Sequence, residues 1–344
     1  MEQTAPANFV MMTLNEMSNL LISQIDLQSS RKDFPTLNQS QKKQLRDFVA
    51  GIKLYSSHSI SKHLYNGDVV LEEGTTKVFK YGNKGKPILI IPSLINKASI
   101  LDISKDFSFI LRLKNLGFLP YLIVWNDPEG SELEFNLDDY QKRLVRIIKN
   151  LDKKFIILGY CMGGIMALKA FKNIKKQVSR IITIATPWAF TEKKFDAFGN
   201  ADFSFLKSLR LVPKEFIRDI FYFADLSAAN NKYIKLGKGE INLDEFAMIE
   251  NWVNDGINMS LNLFYDLQNM IKSNSLNECN LAEIDVPCFN IIGQFDSVCP
   301  ISTTIPLPSK LPNATAKFYD SGHVGLIIKD KHNIAADVAN WCNI

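Results

Sequence analysis

The sequence predicts an α/β fold, a mostly parallel central sheet with a helical insertion. Three observations carry this expectation. Beyond Val69, short apolar runs alternate with helical stretches, the pattern of βαβ units. Most of those runs are apolar at successive positions, as in parallel strands covered on both faces. Between Trp188 and Glu283 the strand signal disappears into a helical stretch rich in Phe, Asn, Leu and Met, and the chain returns at Ile284-Asp285-Val286-Pro287.

The elements follow in order. Residues 1–65 read as an amphipathic helical segment. Ser40 is the expected N-cap of a helix over 41–65, with Leu45, Phe48, Val49, Ile52 and Tyr55 at helical spacing. Packing on the core is the plain reading of that helix, and docking a partner is the alternative. Strands are predicted at Pro87 to Ile91, Tyr121 to Trp125, Phe155 to Gly159, Ile181 to Thr186, Cys288 to Gly293 and Ala316 to Asp320. The expected domains are the N-terminal segment at 1–65, a core built from 66–187 and 284–344, and a cap over 188–283. No internal repeat or low-complexity tract interrupts them.

Composition narrows the class. With 344 residues, 46% hydrophobic and 22% charged, the chain has the make-up of a soluble globular protein. The net charge is +4 without a Lys/Arg block, and no nucleic-acid partner is expected. The start, Met1-Glu2-Gln3-Thr4, lacks a basic secretory n-region, and the apolar pieces at 9–12 and 20–22 are too short to span a bilayer. The five cysteines, 161, 279, 288, 299 and 342, form no CxxC pair and no His/Cys ligand spacing. Neither structural zinc nor a disulfide framework is expected, and reduced thiols in the cytoplasm are.

The chemistry centres on Gly159-Tyr160-Cys161-Met162-Gly163-Gly164, which follows the apolar run Phe155-Ile156-Ile157-Leu158 and opens a helical stretch. This is the strand–elbow–helix setting of α/β-hydrolase nucleophiles, with cysteine in place of serine. The glycines permit the tight turn, and the helix N-terminus aimed at the sulfur favours thiolate. An inert buried thiol is the alternative. His323, in Asp320-Ser321-Gly322-His323-Val324-Gly325, is the expected base: of the four histidines it alone has the glycine-flanked loop after the last strand. Asp296, in Gly293-Gln294-Phe295-Asp296, is the expected acid that orients the imidazole. The order nucleophile, acid, histidine is that of the fold. The oxyanion hole is expected from the backbone N–H groups of Met162 and of Leu94, in Pro92-Ser93-Leu94-Ile95-Asn96.

From about Leu64 onward these motifs together resemble the catalytic subunit of polyhydroxyalkanoate synthases, especially the short type III and IV enzymes. The Gly159–Gly164 hexapeptide looks like the family's lipase-like box with cysteine. Ile91 to Lys97, followed by Ile100-Leu101-Asp102, looks like its strand-and-loop segment ending in Ile-Asn-Lys. Val124 to Pro128, Leu137 to Tyr140 and Glu250 to Asp255 resemble further family stretches, and Phe295-Asp296 and Gly322-His323 fall where the family keeps its aspartate and histidine. Two departures stand out: Asp127 separates Asn126 from Pro128, and Ala189-Phe190 stands where an Asp-Phe or Asp-Tyr pair is usual.

The resemblance implies an acyltransferase that polymerises (R)-3-hydroxyacyl-CoA, of short chain such as 3-hydroxybutyryl-CoA, through an acyl thioester on Cys161. The CoA thioester is substrate, and no cofactor or metal is implied. The long N-terminal domain of types I and II has no counterpart here, so a second synthase subunit is expected, in a homodimer or hetero-oligomer, with location in the cytoplasm at the polyester granule surface. The rival readings are a cysteine hydrolase of the dienelactone-hydrolase kind, a thioesterase or hydroxyacyl-ester hydrolase, and a non-catalytic granule-associated scaffold.

Overall fold

The computed structural model describes residues 38–59, 65–224, 226–328 and 332–343. The apolar pieces at 9–12 and 20–22, and His63, lie outside the described residues. The chain divides into two compact units, one of 63–217 with 255–344 and one of 1–62 with 218–254. The smaller unit thus joins part of the N-terminal segment to the middle of the 188–283 stretch.

In the larger unit an eight-stranded sheet is built from β1 (Asp68–Glu73), β2 (Thr76–Lys80), β3 (Lys86–Ile91), β4 (Phe118–Val124), β5 (Phe155–Tyr160), β6 (Val178–Ile184), β9 (Cys288–Gly293) and β10 (Ala314–Tyr319). Their order is β1-β2-β4-β3-β5-β6-β9-β10. All pairings from β4 to β10 are parallel, while β1 and β2 run antiparallel. Every residue of β4, β5 and β9 is buried, which explains their mostly apolar composition. Ile91 pairs with Gly159, Ile184 with Ile291 and Tyr319 with Gly293. The carboxyl ends of β3, β5, β9 and β10 therefore lie along one edge of the sheet, where ligands bind in such folds.

Two features depart from the expectation. β1 and β2 form a hairpin that no apolar run announced, because β1 is mostly exposed, with Val69 and Val70 facing outward. Inside 188–283, where no strand was expected, β7 (Leu211–Val212) and β8 (Met259–Ser260) pair antiparallel. Each is two residues long, too short to leave a periodicity.

In the smaller unit, helix Gln39–Ser56 is capped by Asn38 rather than by Ser40. The Asn38 side chain accepts from the Gln41 N–H, and the Gln41 side chain accepts from the Asn38 N–H, both at 2.9 Å, completing a capping box. The helix ends at Ser56, short of the expected Tyr65. Ile52 and Tyr55 pack with Tyr233, Leu236, Phe246 and Ala247 from helices Leu226–Gly237 and Leu243–Asn254. A Cβ on Gly51 would fall 2.0 Å from the Tyr233 carbonyl oxygen, and one on Gly237 would fall 1.8 Å from that of Asp47. The two helices touch backbone to backbone there. Glu250 is buried beneath them, accepting from Tyr222 at 2.5 Å, Tyr233 at 2.9 Å and Lys232 at 2.6 Å.

No described helix is long and apolar enough to cross a membrane.

Candidate active site

Cys161 sits between β5 and helix Met162–Ile174 at φ 55° and ψ −124°, a backbone conformation costly for any side chain. Its N–H donates to the Ile184 carbonyl at 2.8 Å, which ties the turn to β6. The glycines earn their places by contact. A Cβ on Gly163 would lie 1.9 Å from the Ile91 carbonyl oxygen, and one on Gly159 would lie 2.4 Å from the Gly164 Cα. Neither could be accommodated, so the helix start presses directly on the end of β3.

Asp296 follows β9 and His323 follows β10, and the fold brings both to Cys161. His323 Nδ1 lies 2.7 Å from Asp296 Oδ2. The other Asp296 oxygen accepts the N–H groups of Val298 at 2.9 Å and Cys299 at 2.7 Å. The Cys161 sulfur, a His323 ring nitrogen and the Cys299 sulfur all lie within 4.8 Å of one another. Among the described residues no other trio of His, Cys, Asp or Glu side chains converges in this way. The Tyr160 ring lies against the His323 ring at 5.0 Å, and its hydroxyl donates to the His323 carbonyl at 3.3 Å.

Electrostatics follow from this packing. The Cys161 thiol is lowered to about 5, first by the hydrogen bond with Cys299 and then, against the opposing effect of burial, by His323 and the Met162 N–H. Burial acts to lower His323, but Asp296 and then Cys161 outweigh it and hold the ring at about 10. Cys299 is held protonated, its thiol pushed well up by the bond to Cys161 and by burial. The arrangement therefore supports a thiolate–imidazolium pair, ready to attack a carbonyl carbon and to return a proton.

Of the two expected oxyanion donors, Met162 opens the helix directly after Cys161. Leu94 is buried in the loop after β3. That loop is shaped by Ser93, whose hydroxyl accepts the Ile95 N–H at 3.1 Å, and by Trp125, whose ring N–H donates to the Pro92 carbonyl at 3.3 Å. Lys97, the lysine of the Ile-Asn-Lys segment, binds Asp255 at 2.7 Å. Asp127, the residue inserted before Pro128, accepts the Asn258 N–H at 2.7 Å and anchors the same return of chain.

Two residues of the site escaped the sequence reading. Cys299 stands three positions after Asp296, and Tyr160 directly precedes Cys161. The first is visible as an unassigned cysteine beside the acid; the second carries no signal beyond its neighbour.

A family model described as alpha/beta hydrolase fold matches residues 125–330. The chain is 27% identical over 309 residues to the poly(3-hydroxyalkanoate) polymerase subunit PhaC of Haloferax mediterranei, covering 80% of this chain and 63% of that one. It is 27% identical over 337 residues to the protein of the same name from Haloarcula marismortui, covering 85% and 70%. With the one from Allochromatium vinosum it shares 24% over 285 residues, covering 75% and 80%. The chain thus spans less than two thirds of the Haloferax relative. Among solved structures, an esterase from Exiguobacterium antarcticum superposes with a TM-score of 0.55 at 16% identity, over 78% of this chain and 96% of that one. A monoacylglycerol lipase from Paleococcus ferrophilus does so at 0.52 and 14%, over 77% and 97%. These likenesses speak to the fold alone. With the family match running over more than half its length and the elbow, acid and histidine in their topological places, the chain belongs to the alpha/beta hydrolase fold family.

Proposed function

We propose that this chain is the catalytic subunit of a polyhydroxyalkanoate synthase, with Cys161 as nucleophile, His323 as base and Asp296 as the acid that orients it. The observation that supports the reading most is a cysteine, rather than a serine, on the elbow of a chain similar over 80% of its length to a polymerase subunit. The substrate is a short-chain (R)-3-hydroxyacyl-CoA, and no cofactor or metal takes part.

In the first half-reaction the Cys161 thiolate attacks the thioester carbonyl. The N–H groups of Met162 and Leu94 would receive the oxyanion. Collapse expels the CoA sulfur, which takes its proton from His323. One thioester replaces another, so this step is nearly balanced. In the second, His323, now neutral, takes the proton of a chain-end hydroxyl as its oxygen attacks the Cys161 acyl group, and Cys161 leaves as thiolate. The product is an oxygen ester, more stable than a thioester, and this drives elongation. Burial of Cys161 and His323 favours an apolar alcohol over water as the attacking group. A second synthase subunit, assembly as a homodimer or hetero-oligomer, and action in the cytoplasm at the granule surface belong to the same proposal.

The test is incubation of purified protein with 3-hydroxybutyryl-CoA, with and without a candidate partner subunit. CoA release with precipitable polyester supports the synthase. Release of free hydroxy acid alone would replace it with a cysteine hydrolase or thioesterase, and absence of CoA release in both arms would leave a scaffold. Cys161→Ala abolishes acyl labelling, whereas Asp296→Ala retains more acylation than elongation.

A further inference from the structure

Cys299 hydrogen-bonds to Cys161 but makes and breaks no bond in the chemistry above, and its sulfur lies 3.9 Å from that of Cys161. Both side chains are buried, one on the elbow after β5 and the other on the turn after β9. A disulfide bond is ~2.05 Å long, so the sulfurs need to close by under ~2 Å, a distance that side-chain rotation on two turns supplies. The remaining three thiols are placed differently, Cys279 following the short turn Ser275–Glu278. Cys288 lies within β9 and Cys342 within the last helix, and burial pushes them up to about 12 and about 11.

We infer that Cys299 is a resolving thiol, and that a hydroperoxide links it to Cys161 in a reversible disulfide that withdraws the nucleophile. In the first step the Cys161 thiolate attacks the peroxide oxygen; the O–O bond breaks, sulfur is oxidised to sulfenic acid, and hydroxide, or alkoxide from an organic peroxide, leaves. In the second, Cys299 gives up its proton and attacks the sulfenic sulfur; the S–O bond breaks and water departs. A nucleophile with a second thiol this close is protected from sulfinic acid, because the disulfide forms before a second peroxide arrives. The inference rests on Cys161 being the reactive thiol of the proposed function, but not on what acyl group it carries.

The experiment treats the reduced protein with about three equivalents of hydrogen peroxide, enough for two successive oxidations of one sulfur, quenches with N-ethylmaleimide, and maps peptides by mass. The expected product has lost two hydrogens, joins the peptides bearing 161 and 299, and regains Cys161 alkylation on addition of dithiothreitol. Cys299→Val and Cys299→Ser instead gain two oxygens at Cys161, which dithiothreitol does not remove. Equal sulfinic acid in the parent and in either folded variant would overturn the inference, as would a disulfide that omits Cys299. CoA release is measured on the same samples. Polymer formation without a 161–299 disulfide defeats the resolving role alone, and a reversible disulfide without turnover of acyl-CoA defeats the synthase reading alone.

Discussion

Alkylation of Cys161 by iodoacetamide is expected to be almost flat between pH 6 and pH 8. Its thiol is lowered to about 5 by the Cys299 hydrogen bond and by His323. An ordinary cysteine titrates near ~8.5, so at pH 7 it is only ~3% ionised against ~99% for Cys161, a gain of ~30-fold in thiolate. A weaker base is also a weaker nucleophile. With a Brønsted slope of ~0.4–0.5, ~3.5 units cost ~25–55-fold in intrinsic reactivity. The two effects nearly cancel, so the absolute rate says little and the pH profile carries the information. Between pH 6 and pH 8 the rate rises ~1.1-fold for Cys161, against ~75-fold for an ordinary thiol. Quantifying the Cys161 peptide by mass after limiting exposure separates it from the other cysteines. A steep rise with its midpoint between pH 8 and pH 9 would refute the ion pair. The pair has two edges. The lowered Cys161 contributes stability above its unfolded value, lost as pH falls through about 5. The raised His323 contributes stability fully present below its unfolded value, lost as pH rises through about 10.

Other perturbations test the frame around the site. Arg143→Met strands the buried Glu132 carboxylate, which pairs with Arg143 at 2.7 Å; the loss is about 3–5 kcal/mol, read as a melting temperature roughly 10 °C lower, and Arg143→Met with Glu132→Leu recovers most of it. Gly163→Ala drives a Cβ into the Ile91 carbonyl, costing more than the ~1–3 kcal/mol of ordinary overpacking; a melting curve and a steepened alkylation profile report it together. Glu250→Ala leaves Lys232 and two tyrosines without their shared acceptor, a loss of about 2–4 kcal/mol, detected as faster amide hydrogen exchange in helix Gln39–Ser56.

The parallel core was legible because strands covered on both faces are mostly apolar, and a run such as Phe155 to Leu158 admits little else. The β1–β2 hairpin was not, since an edge with one wet face tolerates Asp-Val-Val-Leu-Glu-Glu. At helix Gln39–Ser56, Ser40 and Asn38 are both good caps, and only the glutamine three residues after Asn38 decides between them. That Cys161, Asp296 and His323 converge was legible because each follows a strand of the sheet, at β5, β9 and β10. Cys299 could not be assigned, because its partner is 138 positions away and the contact depends on the register of β5, β6 and β9 together. What joins these parts is Asp296. One of its oxygens holds the His323 ring and the other holds the N–H of Cys299, so a single buried carboxylate positions the imidazole and the neighbouring thiol at once. Removing it should therefore loosen the His323 ring and the Cys161–Cys299 approach together, whereas replacing Cys299 should remove that approach and the hydrogen bond that lowers Cys161 while leaving the His323–Asp296 bond in place.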